Sequence, residues 1–263
     1  MLLSLSRVSK TFGDPADPLH ALKDISFEMQ RGEFVCLVGP SGSGKSTLLR
    51  LIAGLLRPTS GDIYLDDAPI TAPNPRIGIV FQTSNLMPWR TVLDNVALPL
   101  ELRGTPRAKR YEIARKHIAL VALEGFEQHY PHQLSGGMQQ RAAIARTLVQ
   151  NPELMLLDEP FGALDALTRE YLNQELLRIH QAEKVTVLMV THAIHEAVWL
   201  ADRVLVLSQR PGVLKADIPI TIPRPRTEDV ITDPRYLALV KKVRSFIDRP
   251  FINTSTPEKR GPS

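Results

Sequence analysis

A single cysteine, Cys36, stands in this 263-residue chain, so no disulfide can form within it, which suits a reducing compartment. Cys36 lies in the apolar run EFVCLVG and reads as core packing. Long hydrophobic runs are also missing, and no charge-free stretch could span a bilayer. The opening residues, MLLSLSRVSKTFG, lack a basic segment followed by an apolar one, so no export signal is expected. Aromatics make up only 6% of the chain and are not interleaved with basic residues, which argues against a nucleic-acid platform. Nor does one sign of charge dominate, because 32 Lys and Arg face 28 Asp and Glu. The basic excess is concentrated late: residues 210–263 hold 11 Lys and Arg against 6 Asp and Glu. That end could lie near anionic lipid or a membrane partner. A solvated surface is the plainer reading. There is no internal repeat.

What is present has the composition of a soluble globular protein, 43% hydrophobic and 23% charged. The length suits one domain with a subdomain. Five short apolar runs, FVCLVG, IGIVFQ, LMLLDE, VTVLMVT and RVLVLS, have the length of strands buried on both faces. Helical patterns separate them, which predicts an α/β fold with a mostly parallel sheet. Between the second and third runs, TVLDNVALPLEL, RAKRYEIARKHIALVAL and GMQQRAAIARTLV form a helical insertion. Arg210-Pro211-Gly212 predicts a hairpin turn, and PRYLALVKKVRSFI an amphipathic closing helix.

GPSGSGKST satisfies G-x-x-x-x-G-K-[ST] and stands between a strand pattern and the helical STLLRLIAGLL. In that context Gly39, Pro40, Ser41, Gly42, Ser43, Gly44, Lys45, Ser46 and Thr47 form a phosphate cradle. Its glycines turn backbone N–H groups inward, Lys45 adds a charge between the β- and γ-phosphates, and the Ser46 hydroxyl can hold Mg²⁺. A ligand-free Gly/Ser turn is the bland alternative, and the strand–loop–helix order weighs against it. LMLLDE ends a buried strand in two carboxylates, Asp158 near the metal and Glu159 where water could be activated. By themselves these would be an ordinary strand end; beside Lys45 and Ser46 they point to catalysis. A second small-residue turn, Ser135-Gly136-Gly137 in LSGGMQQR, opens a helix and has the form of another anion site.

LSGGMQQR, placed between the two motifs above, resembles the signature of the ATP-binding cassette (ABC) ATPases. The resemblance covers roughly residues 1–210. It implies an α/β P-loop NTPase (RecA-like) core with an N-terminal antiparallel β subdomain and a helical subdomain. The implied divisions are 1–87 and 153–209 for the core, 88–152 for the helical part, 210–250 for a C-terminal hairpin and helix, and 251–263 for a disordered tail. The implied cofactors are ATP and Mg²⁺. By resemblance Phe12 stacks on adenine, Gln82 touches the metal, and Ala163-Leu164-Asp165 is the D-loop. His192 contacts the γ-phosphate, with Glu159 and Lys45 as its catalytic companions. Ser135, Gly136 and Gly137 cap ATP held by a second copy packed head to tail. Plainer readings stand beside these: Phe12 as core, Gln82 as a polar strand end, and His192 as a cap for AIHEAVWLA. His192, His195 and Glu196, or His129 and His132, lack a full zinc ligand set.

One cassette with a compact helical insert suits a transporter subunit better than a non-transport ABC ATPase acting on nucleic acid or ribosomes. Such a subunit works with a separate integral membrane permease, and the resemblance puts the docking groove at TSNLMPWRTVLDN. There Met87, Pro88 and Trp89 form an exposed apolar patch, or Trp89 packs inside the insert. NLMPWRTVLDNVALPLEL, HAIHEAVWLADRV, SQRPG and IPRPR together resemble the bacterial nitrate/sulfonate/taurine importer cassettes. That resemblance implies an extracytoplasmic solute-binding protein, a peripheral place on the cytoplasmic face of the inner membrane, and a small anionic solute. An export-type cassette is the alternative. The prolines of PRPR impose an extended segment whose arginines, Arg224 and Arg226, read as solvated.

Overall fold

All five doubly apolar runs enter one sheet, and the reason is visible in their burial. The computed structural model describes residues 1–14, 16–162, 164–226 and 228–247. The expected disordered tail, and Ala163 of the expected D-loop, lie outside the described residues. In the strands β3 (Phe34–Val38), β7 (Leu154–Asp158) and β8 (Thr186–Val190) every residue is buried. Alternate side chains serve opposite cores: Phe34, Cys36 and Val38 face one, Val35 and Leu37 the other. This is the period of two expected of a strand covered on both faces. With β6 (Ile77–Val80), β9 (Arg203–Leu207) and β10 (Leu214–Pro219) they form a six-stranded sheet ordered β10-β9-β3-β8-β7-β6. The pairs through β9-β3-β8-β7-β6 are parallel, and β10 runs antiparallel to β9 across the turn that carries Arg210-Pro211-Gly212.

A second, antiparallel sheet takes β1 (Leu3–Phe12), β2 (Leu19–Met29), β4 (Ser60–Leu65) and β5 (Ala68–Pro69) in the order β2-β1-β4-β5. Between the two sheets lies α1 (Lys45–Ile52), whose Leu48, Leu49, Leu51 and Ile52 join both in one apolar core. The opposite face of the parallel sheet is covered by α5 (Ala166–Glu183), α6 (Ile194–Leu200) and α7 (Pro234–Ile247). No helix among the described residues is long and apolar enough to cross a membrane.

Between β6 and β7 the chain builds α2 (Val92–Leu102), α3 (Arg107–Leu120) and α4 (Gly136–Leu148). Thr91 caps α2 by accepting from the Asp94 amide at 3.2 Å. Behind it the buried Asn95 accepts from the Met87 amide and donates to the carbonyls of Met87, Arg90 and Thr91. The loop before α2 is therefore pinned from below, and Trp89 is left 71% exposed at its tip. Of the two readings of Trp89, the structure selects the exposed one.

One expectation is overturned. The arginines of PRPR are not solvated: Arg226 is buried and Arg224 is half-buried. Arg226 donates to the carbonyls of Ile222, Val198, Trp199 and Ala201, and Arg224 to Asp202 and the Leu200 carbonyl. The extended segment passes the C-terminal end of α6, where unpaired carbonyls and the helix dipole favour cations. Burial lowers the Arg226 pKa to about 10, so it stays charged at neutral pH. Arg226→Ala is expected to cost about 3 kcal/mol, because several buried carbonyls lose a charged donor together. Urea unfolding of the two proteins measures this.

An ionic cluster closes the far edge. Arg31 donates to Asp66 at 2.7 Å, and Arg76 bonds both Asp66 and Glu153. Arg76, and then Arg31, pull the Glu153 carboxyl from its ordinary 4.5 to about 2. A depressed folded-state pKa stabilises fully above the unfolded value and loses that contribution as pH falls from about 4.5 through about 2. Because the carboxylate is about one-third exposed, solvent screening reduces the effect. Wild type should therefore lose more of its melting temperature than Glu153→Gln between pH 5 and pH 2, as a thermal-melt series would record.

Candidate active site

The loop after β3 wraps the N-terminus of α1, and Gly44 makes the entry with φ 92°. A Cβ there would stand 2.7 Å from Leu22 and 2.9 Å from the Ala21 carbonyl, so only glycine fits. Lys45 opens the helix with only 7% of its surface exposed, and its ammonium donates to the carbonyls of Gly39 and Pro40, both at 2.9 Å. Burial pushes its pKa down, while Glu159 and Asp158 oppose that shift. The result is a buried cation held on two carbonyls of its own loop.

Opposite, β7 delivers Asp158 to the cradle. The Ser46 hydroxyl donates to Asp158 at 3.0 Å. Burial raises the Asp158 pKa, and the Ser46 bond acts against it. Two hard oxygen donors thus meet at the cradle, the donor chemistry that fits Mg²⁺. Glu159 follows with φ +46°, a left-handed conformation that is uncommon for a non-glycine residue and typical of functional turns. Its amide donates to the Val190 carbonyl at 3.0 Å, which holds the turn against β8. Its carboxylate lies 3.3 Å from His192 Nδ1. His192 follows β8 by two residues and does not cap α6: the cap residue is Ala193, whose amide donates to the Thr191 hydroxyl.

Residues 41–47, Glu159 and His192 share one cavity of about 440 Å³ with Phe12, Leu19, Ala21 and Arg210, and Asp158 reaches it through the Ser46 hydroxyl. Phe12, from the end of β1, lies in this wall and outside both apolar cores, with the Lys10 ammonium 5.0 Å from its ring centre. Leu19, Ala21 and Arg210 were missed by sequence reading. The first two carry no motif, and Arg210 sits 168 positions from the Gly42 carbonyl that it touches.

Other expected site residues do not line this cavity. Gln82 is exposed beyond the end of β6. Ser135 caps α4 by accepting from the Met138 amide at 3.3 Å, and Gly136 and Gly137 begin that helix. Asp165 caps α5 through the Thr168 amide at 3.0 Å, which lowers its pKa. Both caps adjoin: a Cβ on Gly136 would stand 3.4 Å from Leu164, and one on Gly137 3.2 Å from Thr168. The Gln82 loop is tied to α4 as well. Gln140 donates to the Phe81 carbonyl at 2.9 Å, and Arg146 donates to the carbonyls of Ser84 and Asn85, each at 2.8 Å. Among the described residues no three His, Cys, Asp or Glu side chains converge on a metal-sized site.

Phosphate loop, paired carboxylates and histidine together define a nucleotide-hydrolysing cassette. The ABC transporter profile matches residues 22–162. An uncharacterized ABC transporter ATP-binding protein of Methanocaldococcus jannaschii is 51% identical, with 93% of this chain and 91% of that protein aligned. The nitrate import ATP-binding protein of Synechococcus elongatus is 45% identical over 93% of this chain and 90% of its own. Among solved structures, a dimeric ATP-binding cassette in a post-hydrolysis state with ADP and Pi is similar at TM-score 0.73 and 36% identity, covering 84% of this chain and 100% of that one. This chain belongs to the ABC transporter family, as an ATP-binding cassette with ATPase activity.

Proposed function

We propose that this cassette is the ATP-hydrolysing subunit of an importer for a small anionic solute of the nitrate, sulfonate or taurine class. In this reading it is peripheral to the cytoplasmic face of the inner membrane, works as a head-to-tail pair, and drives a separate permease fed by an extracytoplasmic solute-binding protein. The observation that carries it is the position of Ser135-Gly136-Gly137. This anion-binding turn opens a helix away from the cavity that holds Lys45, so it is free to meet a neighbour's phosphate. The dimeric form of the similar solved cassette, and the nitrate import function of a 45% identical relative, support the same reading.

Its chemistry follows from the side chains. The loop 39–47 holds the phosphates through backbone amides and Lys45, and Phe12 takes the base on its ring face. Ser46 and Asp158, with Gln82, would hold Mg²⁺, whose charge offsets that developing on the phosphates. Glu159 orients and deprotonates the attacking water, and His192 steadies both Glu159 and the γ-phosphate. The partner's Ser135 and Gly137 amide bind the γ-phosphate only while ATP is intact. ATP therefore favours the closed pair, and hydrolysis releases it. Residues 88–152, the helical part in this division, carry Trp89 at the permease-facing end, and the stitched Gln82 loop links that surface to the nucleotide.

A gentle pull-down from native membranes tests this reading. Co-purification of a multi-span permease, and of a solute-binding protein whose ligand is a small anion, is the expected result. Recovery of ribosomal or DNA-associated proteins with no membrane protein would overturn it.

A further inference from the structure

The turn between β9 and β10 is more than a hairpin connection. It is internally fixed: the Ser208 amide donates to the Val213 carbonyl and the Val213 amide to the Ser208 hydroxyl, each at 2.9 Å. The Ser208 hydroxyl in turn donates to the Pro211 carbonyl at 3.0 Å. The turn is also bonded to β2 and packed against the phosphate loop. The Gly212 amide donates to the Ala21 carbonyl, and its carbonyl accepts from the Lys23 amide, both at 2.9 Å. A Cβ at position 212 would come within 2.1 Å of the Ser43 carbonyl oxygen, so this backbone lies directly against the loop. A rigid mount of this kind holds whatever precedes it in a defined place.

What precedes it is Arg210, whose side chain lines the cavity with residues 41–47. Its Nε donates to the Gly42 carbonyl at 3.3 Å. That single long bond uses one of five guanidinium N–H groups. No carboxylate among the described residues pairs with it. A permanently charged, half-anchored guanidinium thus shares a cavity wall with the buried Lys45 and with Glu159, and its remaining N–H groups suit it to an anionic ligand there.

We propose that Arg210 is a nucleotide-binding residue whose guanidinium binds the phosphate chain of the ATP held by the 39–47 loop. This rests on the assignment of the cavity to the nucleotide. Arginine suits the task because its planar fork can bond two phosphate oxygens while Nε keeps its hold on Gly42. The alternative is a purely structural prop under the Gly42 carbonyl, a role that glutamine at the same position would retain.

Calorimetric titration of the full chain with ATP in EDTA, which prevents turnover, separates these. Arg210→Gln is expected to weaken ATP binding about five- to twentyfold, with Arg210→Lys recovering part of the loss and with a shallower salt dependence in the glutamine variant. The steady-state KM for ATP should rise while kcat changes little. Wild-type affinity in a folded Arg210→Gln protein, or equal losses in the lysine and glutamine variants, would overturn the proposal. Absence of ATP binding by wild type itself would strike the assignment of the cavity, a result visible in the control titration.

Discussion

Glu159→Gln is expected to bind ATP normally, to hydrolyse it about 10²- to 10⁴-fold more slowly, and to accumulate as a dimer. The substitution keeps size and hydrogen-bonding reach but removes the group that can accept a proton from water. The contacts around it survive: the backbone bond to Val190 does not involve the side chain, and His192 at 3.3 Å can still bond an amide oxygen. In the proposed head-to-tail pair, uncleaved ATP would then remain between the loop of one copy and Ser135-Gly137 of the other, leaving the closed pair no route to open. Gel filtration with saturating Mg-ATP reads the dimer, and phosphate release reads the rate. A variant that stays monomeric with ATP bound would count against the composite site, and one that hydrolyses at the wild-type rate against Glu159 as the base.

Lys45→Ala is expected to lose ATP affinity by about 10²-fold or more, since the phosphates would lose a charged donor held at a buried position. Lys45 is buried and held on the carbonyls of Gly39 and Pro40. Those carbonyls lose their charged donor when the ammonium goes, so a modest fall in melting temperature is expected beside the loss of affinity. Titration calorimetry against wild type measures the first effect and a thermal melt the second. Affinity close to wild type would mean that the backbone amides alone hold the phosphates.

The two variants probe different parts of one cavity, and those parts were not equally legible. The strand–loop–helix context of GPSGSGKST and the terminal carboxylates of LMLLDE announce themselves in sequence because each depends on local geometry. Backbone amides converge over a few residues, and a buried strand can end in charge only at its rim. The five strands were legible for a related reason. Doubly buried strands need continuous apolar runs, and each such run in the chain became one.

Long-range placement is another matter. Nothing near Arg210 in the chain says that a hairpin turn will lie on the Gly42 carbonyl, because that contact follows from β9 pairing with β3 and from Gly212 fitting against Ser43. The arginines of PRPR misled for the same reason. An extended proline-flanked segment is ordinarily solvated, and only the exposed carbonyl end of α6 made its burial favourable. Trp89 had two readings until Asn95 fixed its loop. The sequence by itself determined which residues can form strands, helix starts and a phosphate loop, because those depend on neighbours along the chain. Which charges meet across 100 residues or more was decided by the tertiary structure, since sheet order and close backbone approach choose partners that no local pattern encodes.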